Sequence, residues 1–149
     1  MINRSSPARF MLFVTLALCG HAAAAATTMV NALLQDPSAN PAVRSDRIVL
    51  DRHSVPAGTV MLHAVNQSKD QVHELLVVRP KRAQTVLPYD DKNAKVVESR
   101  IDVLGEIDDL QPGASGSITL DLQPGSYMLL CNQPGHYTAG MHTKLSVTK

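Results

Sequence analysis

Cys131, His136 and Met141 stand at equal intervals near the end of the chain, with four residues between each pair. The run reads Cys131-Asn-Gln-Pro-Gly-His136-Tyr-Thr-Ala-Gly-Met141-His142. It places a thiol, an imidazole and a thioether within one loop's length. A second imidazole, His73, lies far upstream in Val72-His73-Glu74-Leu75, a stretch with the character of a strand.

One thiolate, two imidazoles and one thioether make a soft, mixed donor set. Cu(I) prefers sulfur and few ligands, whereas Cu(II) prefers nitrogen. A trigonal arrangement of two imidazoles and a thiolate, with a weak thioether above it, suits both states. If the fold brings His73 to the loop, these residues imply one mononuclear copper site that passes single electrons. Pro134-Gly135 tightens the first half of the loop, and Gly140 lets the backbone turn in beside Met141. A binuclear copper centre needs a second cysteine and is disfavoured.

The elements that must position these residues begin after a leader. Arg4 and Arg9 supply a positive start, an apolar stretch follows, and Ala22 to Ala26 offer small residues for cleavage. Residues 1–26 are therefore expected to be a secretory signal peptide, too short for a membrane span. Leu18 stands where a lipidation box needs a small residue, so Cys19 is not read as lipidated. Export leaves about 123 residues, enough for one domain with a sizeable core. Residues 27–46 form a lead-in, and 47–149 the copper-binding domain.

Along the lead-in, Met29, Val30, Leu33 and Leu34 fall at roughly helical spacing, which predicts a short N-terminal helix. Strands are expected over 47–51, 59–65 and 72–78, with Val55-Pro-Ala-Gly58 as a turn and the latter two strands as a hairpin. A short helix is expected within 92–104, through Val96, Val97, Ile101 and Leu104. Residues 117–122, 127–130 and 143–148 read as further strands. Leu110-Gln-Pro-Gly113 and Leu122-Gln-Pro-Gly125 are repeated turn chemistry, and Gln133-Pro-Gly135 is a third such turn. Short strands joined by Pro-Gly turns predict an all-β sandwich.

Composition narrows the function. The chain carries 14 Lys and Arg against 13 Asp and Glu; without Arg4 and Arg9 the formal net charge moves from +1 to −1. That balance argues against nucleic acid and against an electrostatic membrane partner. With Cys19 removed, Cys131 is the only cysteine. It cannot form an internal disulfide, and metal ligation protects a lone thiol in an oxidising compartment.

The pattern Cys131-x-x-Pro-Gly-His136-x-x-x-Gly-Met141, preceded by the strand histidine His73, resembles the cupredoxin family of small type 1 (blue) copper proteins. The resemblance covers about residues 47–149. It implies a Greek-key β-sandwich with copper near one end, equatorial ligands His73, Cys131 and His136, and an axial Met141. It also implies that His136 lies near the surface as the electron exit. In many relatives Asn or Ser follows the strand histidine and ties that strand to the cysteine loop. Here Glu74 stands instead, and a carboxylate there should favour Cu(II) unless it is neutral or paired.

The leading reading is an exported, monomeric, periplasmic electron carrier that meets redox proteins such as a cytochrome or oxidase in transient contact. The alternative is copper storage, delivery or resistance with the same ligands. An enzyme with Cys131 as nucleophile and His73 or His136 as base is the weakest reading, because it leaves Met141 without a role. His142 is a possible extra base or alternative ligand. His53 and His63 read as ordinary surface or strand residues, and Met61 and Met128 as core. Tyr137 is open between docking and loop packing. Lys81 and Arg82 read as a solvated loop.

Overall fold

The structure, a computed structural model, describes residues 26–36, 47–81 and 86–149. The expected signal peptide falls almost entirely outside the described residues, as does Arg82. Eleven strands are described: β1 Thr28–Gln35, β2 Arg47–Leu50, β3 Ser54–Pro56, β4 Gly58–Asn66, β5 His73–Val78, β6 Tyr89–Asp90, β7 Lys95–Val96, β8 Val103–Leu110, β9 Ser115–Leu122, β10 Gly125–Leu130 and β11 His142–Thr148. One sheet has the order β2-β1-β4-β9 and the other β3-β11-β10-β5-β8, with β6 and β7 as a separate small ribbon. The two large sheets face each other as a Greek-key β-sandwich, the fold class expected.

The core explains the pairing. Val30, Ala32 and Leu34 of β1 are buried, and so are Val60, Leu62 and Ala64 of β4. The strands run parallel, with Val30 beside Leu62 and Ala32 beside Ala64. They pack on Leu75, Val77, Tyr127, Leu129 and Leu145 of the facing sheet. Strand β5 is buried on both faces. Its outward Leu76 and Val78 join Met128 and Leu130 beneath Leu87 and Val96, so residues 86–101 cover the back of the second sheet.

Four local expectations are corrected. The N-terminal segment is strand β1, not a helix. Its buried residues recur with period two once Ala32 is counted, and β2 and β4 supply hydrogen-bonding partners on both sides. Residues 92–104 hold the turn after β6, strand β7, a single 3-10 turn at Glu98–Arg100 and the start of β8. The Asp90 carboxylate accepts from the N–H groups of Lys92 and Asn93, which makes a turn where a helix was expected. Val55 and Pro56 belong to β3, paired in parallel with β11. Finally, β4 and β5 do not form a hairpin: they lie in different sheets, because each points its apolar face at the other across the core.

The chain turns from β4 to β5 around Asn66, which is fully buried. Its amide nitrogen donates to the carbonyls of Gln71 and Leu110, each at 2.8 Å, and its Oδ1 accepts from the Ser68 N–H. The Gln-Pro-Gly segments at 111–113 and 123–125 likewise carry the chain between sheets, and Gly113 donates its N–H to the Asn66 carbonyl. Asn66 thus sets the path that delivers His73 to the head of β5. Replacing it with Ala strands two carbonyls and one N–H. Asn66→Ala should lower stability by about 2–4 kcal/mol in urea unfolding; a loss below about 1 kcal/mol would show that this corner holds itself without the amide.

Candidate metal centre

Strands β10 and β11 pair antiparallel, with Leu130 opposite His142. Cys131 and Met141 are the next residues inward, so the ladder's end brings both loop termini together. The Cys131 N–H donates to the Met141 carbonyl at 3.0 Å, and the Met141 N–H to the His136 carbonyl at 3.0 Å. Gly135 and Gly140 have φ of 85° and 101°, a backbone region that a side chain disfavours. These turns fold the loop back so that His136 faces Cys131.

On the neighbouring strand, β5 pairs with β10 through Leu76 opposite Leu130. That register brings His73 alongside the cysteine. His73 Nδ1 lies 3.2 Å from His136 Nδ1 and 3.7 Å from Cys131 Sγ, and Cys131 Sγ lies 3.4 Å from His136 Nδ1. A point equidistant from the three atoms lies about 2.0 Å from each. First-row divalent ions bond imidazole nitrogen at about 2.0 Å and thiolate sulfur at about 2.3 Å. The three donors would therefore be able to reach a single ion together. The softness of this donor set suits copper. His73, Cys131 and Met141 are fully buried, and His136 is half-buried.

The surrounding residues hold this frame. The Glu74 N–H points at Cys131 Sγ from 3.5 Å. Asn132, also buried, behaves as a short piece of strand: its Oδ1 accepts from the Val96 N–H at 2.7 Å and its amide donates to the Val96 carbonyl at 3.0 Å. The Gly135 N–H donates to the Ala94 carbonyl at 2.7 Å. The β6–β7 ribbon is thereby clamped to the cysteine loop. Tyr137 packs between Tyr89 and His142, with ring centroids 6.2 and 5.1 Å away. His142 opens β11 outside the donor cluster. His53 and His63 contact the Lys144 carbonyl and Ser117 Oγ. Met128 is core as expected, whereas Met61 is only half-buried.

Two acidic side chains flank His73. Glu74 supplies the tie expected of Asn or Ser in a different way, through its backbone N–H and through Gln133, whose amide lies 3.4 Å from Glu74 Oε2. Burial raises the Glu74 carboxyl from 4.5 to about 7; Lys95 opposes the rise, while Asp108 and Glu98 add to it. Without copper, the Glu74 carboxyl is therefore about half protonated near neutral pH. Asp36 behaves oppositely. Burial works against its charge, but the Ser68 hydroxyl, the Lys69 N–H and His73 outweigh burial and hold its carboxyl below the usual range. From the sequence, Asp36 is one residue of the 27–46 lead-in and Gln133 opens a Pro-Gly turn. No local signal marks Asp36, because its partner His73 is distant in the chain.

The raised carboxyl has a sign that can be tested on the copper-free protein. Between pH 4.5 and about 7 the unfolded chain releases the Glu74 proton while the native state keeps it. Glu74 therefore costs stability as pH rises through that window. Glu74→Gln should gain more over wild type at pH 8 than at pH 4.5, by of the order of 2 kcal/mol after discounting for partial solvation. Urea unfolding at both pH values reads this; an equal gain at both would contradict it.

Comparisons with known proteins agree with this geometry. Residues 8–148 match the copper binding proteins of the plastocyanin/azurin family. A 40-residue stretch is 50% identical to auracyanin-B of Chloroflexus aurantiacus, covering 26% of this chain and 17% of that protein's length. Among solved structures, the reduced auracyanin of Roseiflexus castenholzii superposes with TM-score 0.56 at 24% identity, over 85% of this chain and all of that one. Rusticyanin of Thiobacillus ferrooxidans superposes with TM-score 0.59 at 23% identity, over 82% of this chain and 77% of that one. The structural likenesses bear on the fold, and the family match spans nearly the whole sequence: the chain belongs to the plastocyanin/azurin family of copper-binding proteins.

Proposed function

We propose that this protein is an exported type 1 copper protein that carries single electrons between redox partners. His73, Cys131 and His136 would hold the copper, with Met141 as a weaker fourth donor. The observation that carries the reading is the convergence of two imidazole nitrogens and one thiol sulfur within bonding reach of a single ion, at the buried end of a sandwich core. Copper bound there supplies a one-electron couple between Cu(I) and Cu(II).

The protein's part is to keep the donors still. His73 stands on a strand buried on both faces, and Cys131 directly follows another. The Glu74 N–H stabilises sulfur as thiolate, and the Asn132 clamp fixes the loop that carries His136. Such a frame suits both oxidation states without rearranging. His136 alone of the three strong donors reaches the surface, beside exposed Pro134, Thr138 and Ala139. That uncharged rim suits a brief encounter of small buried area with a cytochrome or oxidase.

Export to a periplasm rests on the basic, apolar and small-residue order of residues 1–26. Among the described residues, no helix is long and apolar enough to cross a membrane. A monomer is the expected working state.

The copper-loaded protein should show intense thiolate-to-copper absorption in the visible. Cys131→Ser should abolish it, and Met141→Leu should keep a coloured site with a shifted potential. A colourless Cu(II) form of the wild type would refute the type 1 assignment. Stopped-flow mixing with a cytochrome should show fast, reversible electron exchange with copper retained. Slow exchange, together with ready loss of copper to an acceptor apoprotein, would instead identify a copper store or carrier.

A further inference from the structure

One acidic side chain meets the strand histidine from the side away from the donors. Asp36 Oδ1 lies 3.4 Å from His73 Nε2, the nitrogen opposite the one that faces Cys131 and His136. The separation is that of a long contact, at the outer limit for a hydrogen bond from the Nε2–H to the carboxylate. Asp36 is itself held: both carboxylate oxygens lie 2.6 Å from Ser68 Oγ, and Oδ2 accepts from the Lys69 N–H at 3.2 Å. Ser68 is anchored in turn, since its N–H donates to Asn66 Oδ1 and its Oγ accepts from the Gln71 N–H.

The topology makes this contact. β1 and β4 are parallel, with Leu34 beside Asn66, so the chains leave the sheet together. Asp36 and Ser68 lie two residues past that pair, and the Gln67 N–H still donates to the Leu34 carbonyl. β5 begins at the same end with His73.

An imidazole offers a metal one nitrogen, and the partner of the other decides which one. A carboxylate at Nε2 keeps the proton there and leaves Nδ1 bare. Its charge also strengthens the ring as a donor, which favours the more highly charged oxidised ion.

We propose that Asp36 is a positioning residue for the copper centre: it holds His73 with Nδ1 turned to the site and, through that ring, favours Cu(II) over Cu(I). This rests on His73 being a ligand, as proposed above. If Asp36 only fastened the end of β1 to the Asn66 corner, its loss would lower the melting temperature and nothing else.

Asp36→Asn keeps the shape and removes the charge. The variant should stay coloured, with Cu(II) disfavoured about tenfold relative to Cu(I), a rise in reduction potential of about 59 mV. Ser68→Ala, which loosens the carboxylate, should shift the potential in the same direction by less, and it serves if Asp36→Asn does not fold. In copper-free protein, imidazole 15N spectra should show His73 as the Nε2-protonated tautomer in wild type and as a mixture in Asp36→Ala. Unchanged potentials in both coloured variants would overturn the effect on copper, and an unchanged tautomer would overturn the positioning. A wild type without thiolate absorption would count against the ligand assignment instead, while the tautomer spectra would still decide whether Asp36 holds the ring.

Discussion

The antiparallel pairing of β5 with β10 is the interaction on which the rest of the molecule depends. Leu76 opposite Leu130 sets a register that carries His73 to the side of Cys131. A slip of one residue turns every side chain to the other face of the sheet. Here it would point the imidazole away from the sulfur. That register is enforced twice, because both faces of β5 are buried: Leu75 and Val77 in the sandwich core, Leu76 and Val78 beneath residues 86–101.

The same covering segment explains the loop. A buried cysteine sulfur and a buried asparagine must each find partners, since a polar group left unpaired in an apolar interior is costly. Cys131 meets a backbone N–H on β5, and Asn132 meets both polar groups of Val96 on β7. One residue of the loop is therefore fastened to the inner frame and the next to the outer cover. The loop's far end, by contrast, carries exposed Thr138 and Ala139, which leaves His136 on the border between frame and solvent.

Two carboxyl groups border His73, and their environments push them in opposite directions. Glu74 is buried with Asp108 and Glu98 nearby, and Lys95, the Asn132 backbone and a long contact from Gln133 do not offset this, so desolvation prevails and its carboxyl rises to about 7. Asp36 is more open and receives a hydroxyl and a backbone N–H, so hydrogen bonding prevails and its carboxyl falls. Burial and donor count, rather than distance to the site, decide which of them is charged. The carboxylate that the sequence makes conspicuous is thus the less charged one near neutral pH.

What the sequence by itself determined is what is local. Cys131, His136 and Met141 share one loop, so their spacing along the chain already constrains their spacing in space. The alternation in β4, β9 and β11 and the Pro-Gly turns are equally local, and the sandwich class follows from them. The tertiary structure decided whatever depends on a distant partner. Met29 to Leu34 satisfies helical spacing and strand spacing alike, and only β2 and β4 beside it select the strand. β8, with Glu106, Asp108 and Asp109, is a sheet edge whose charges mask any apolar period. Asp36 is a residue beside a proline until parallel pairing sets it next to Ser68 and behind His73. Periodicity records which face of an element is buried, but it carries no record of which element lies opposite.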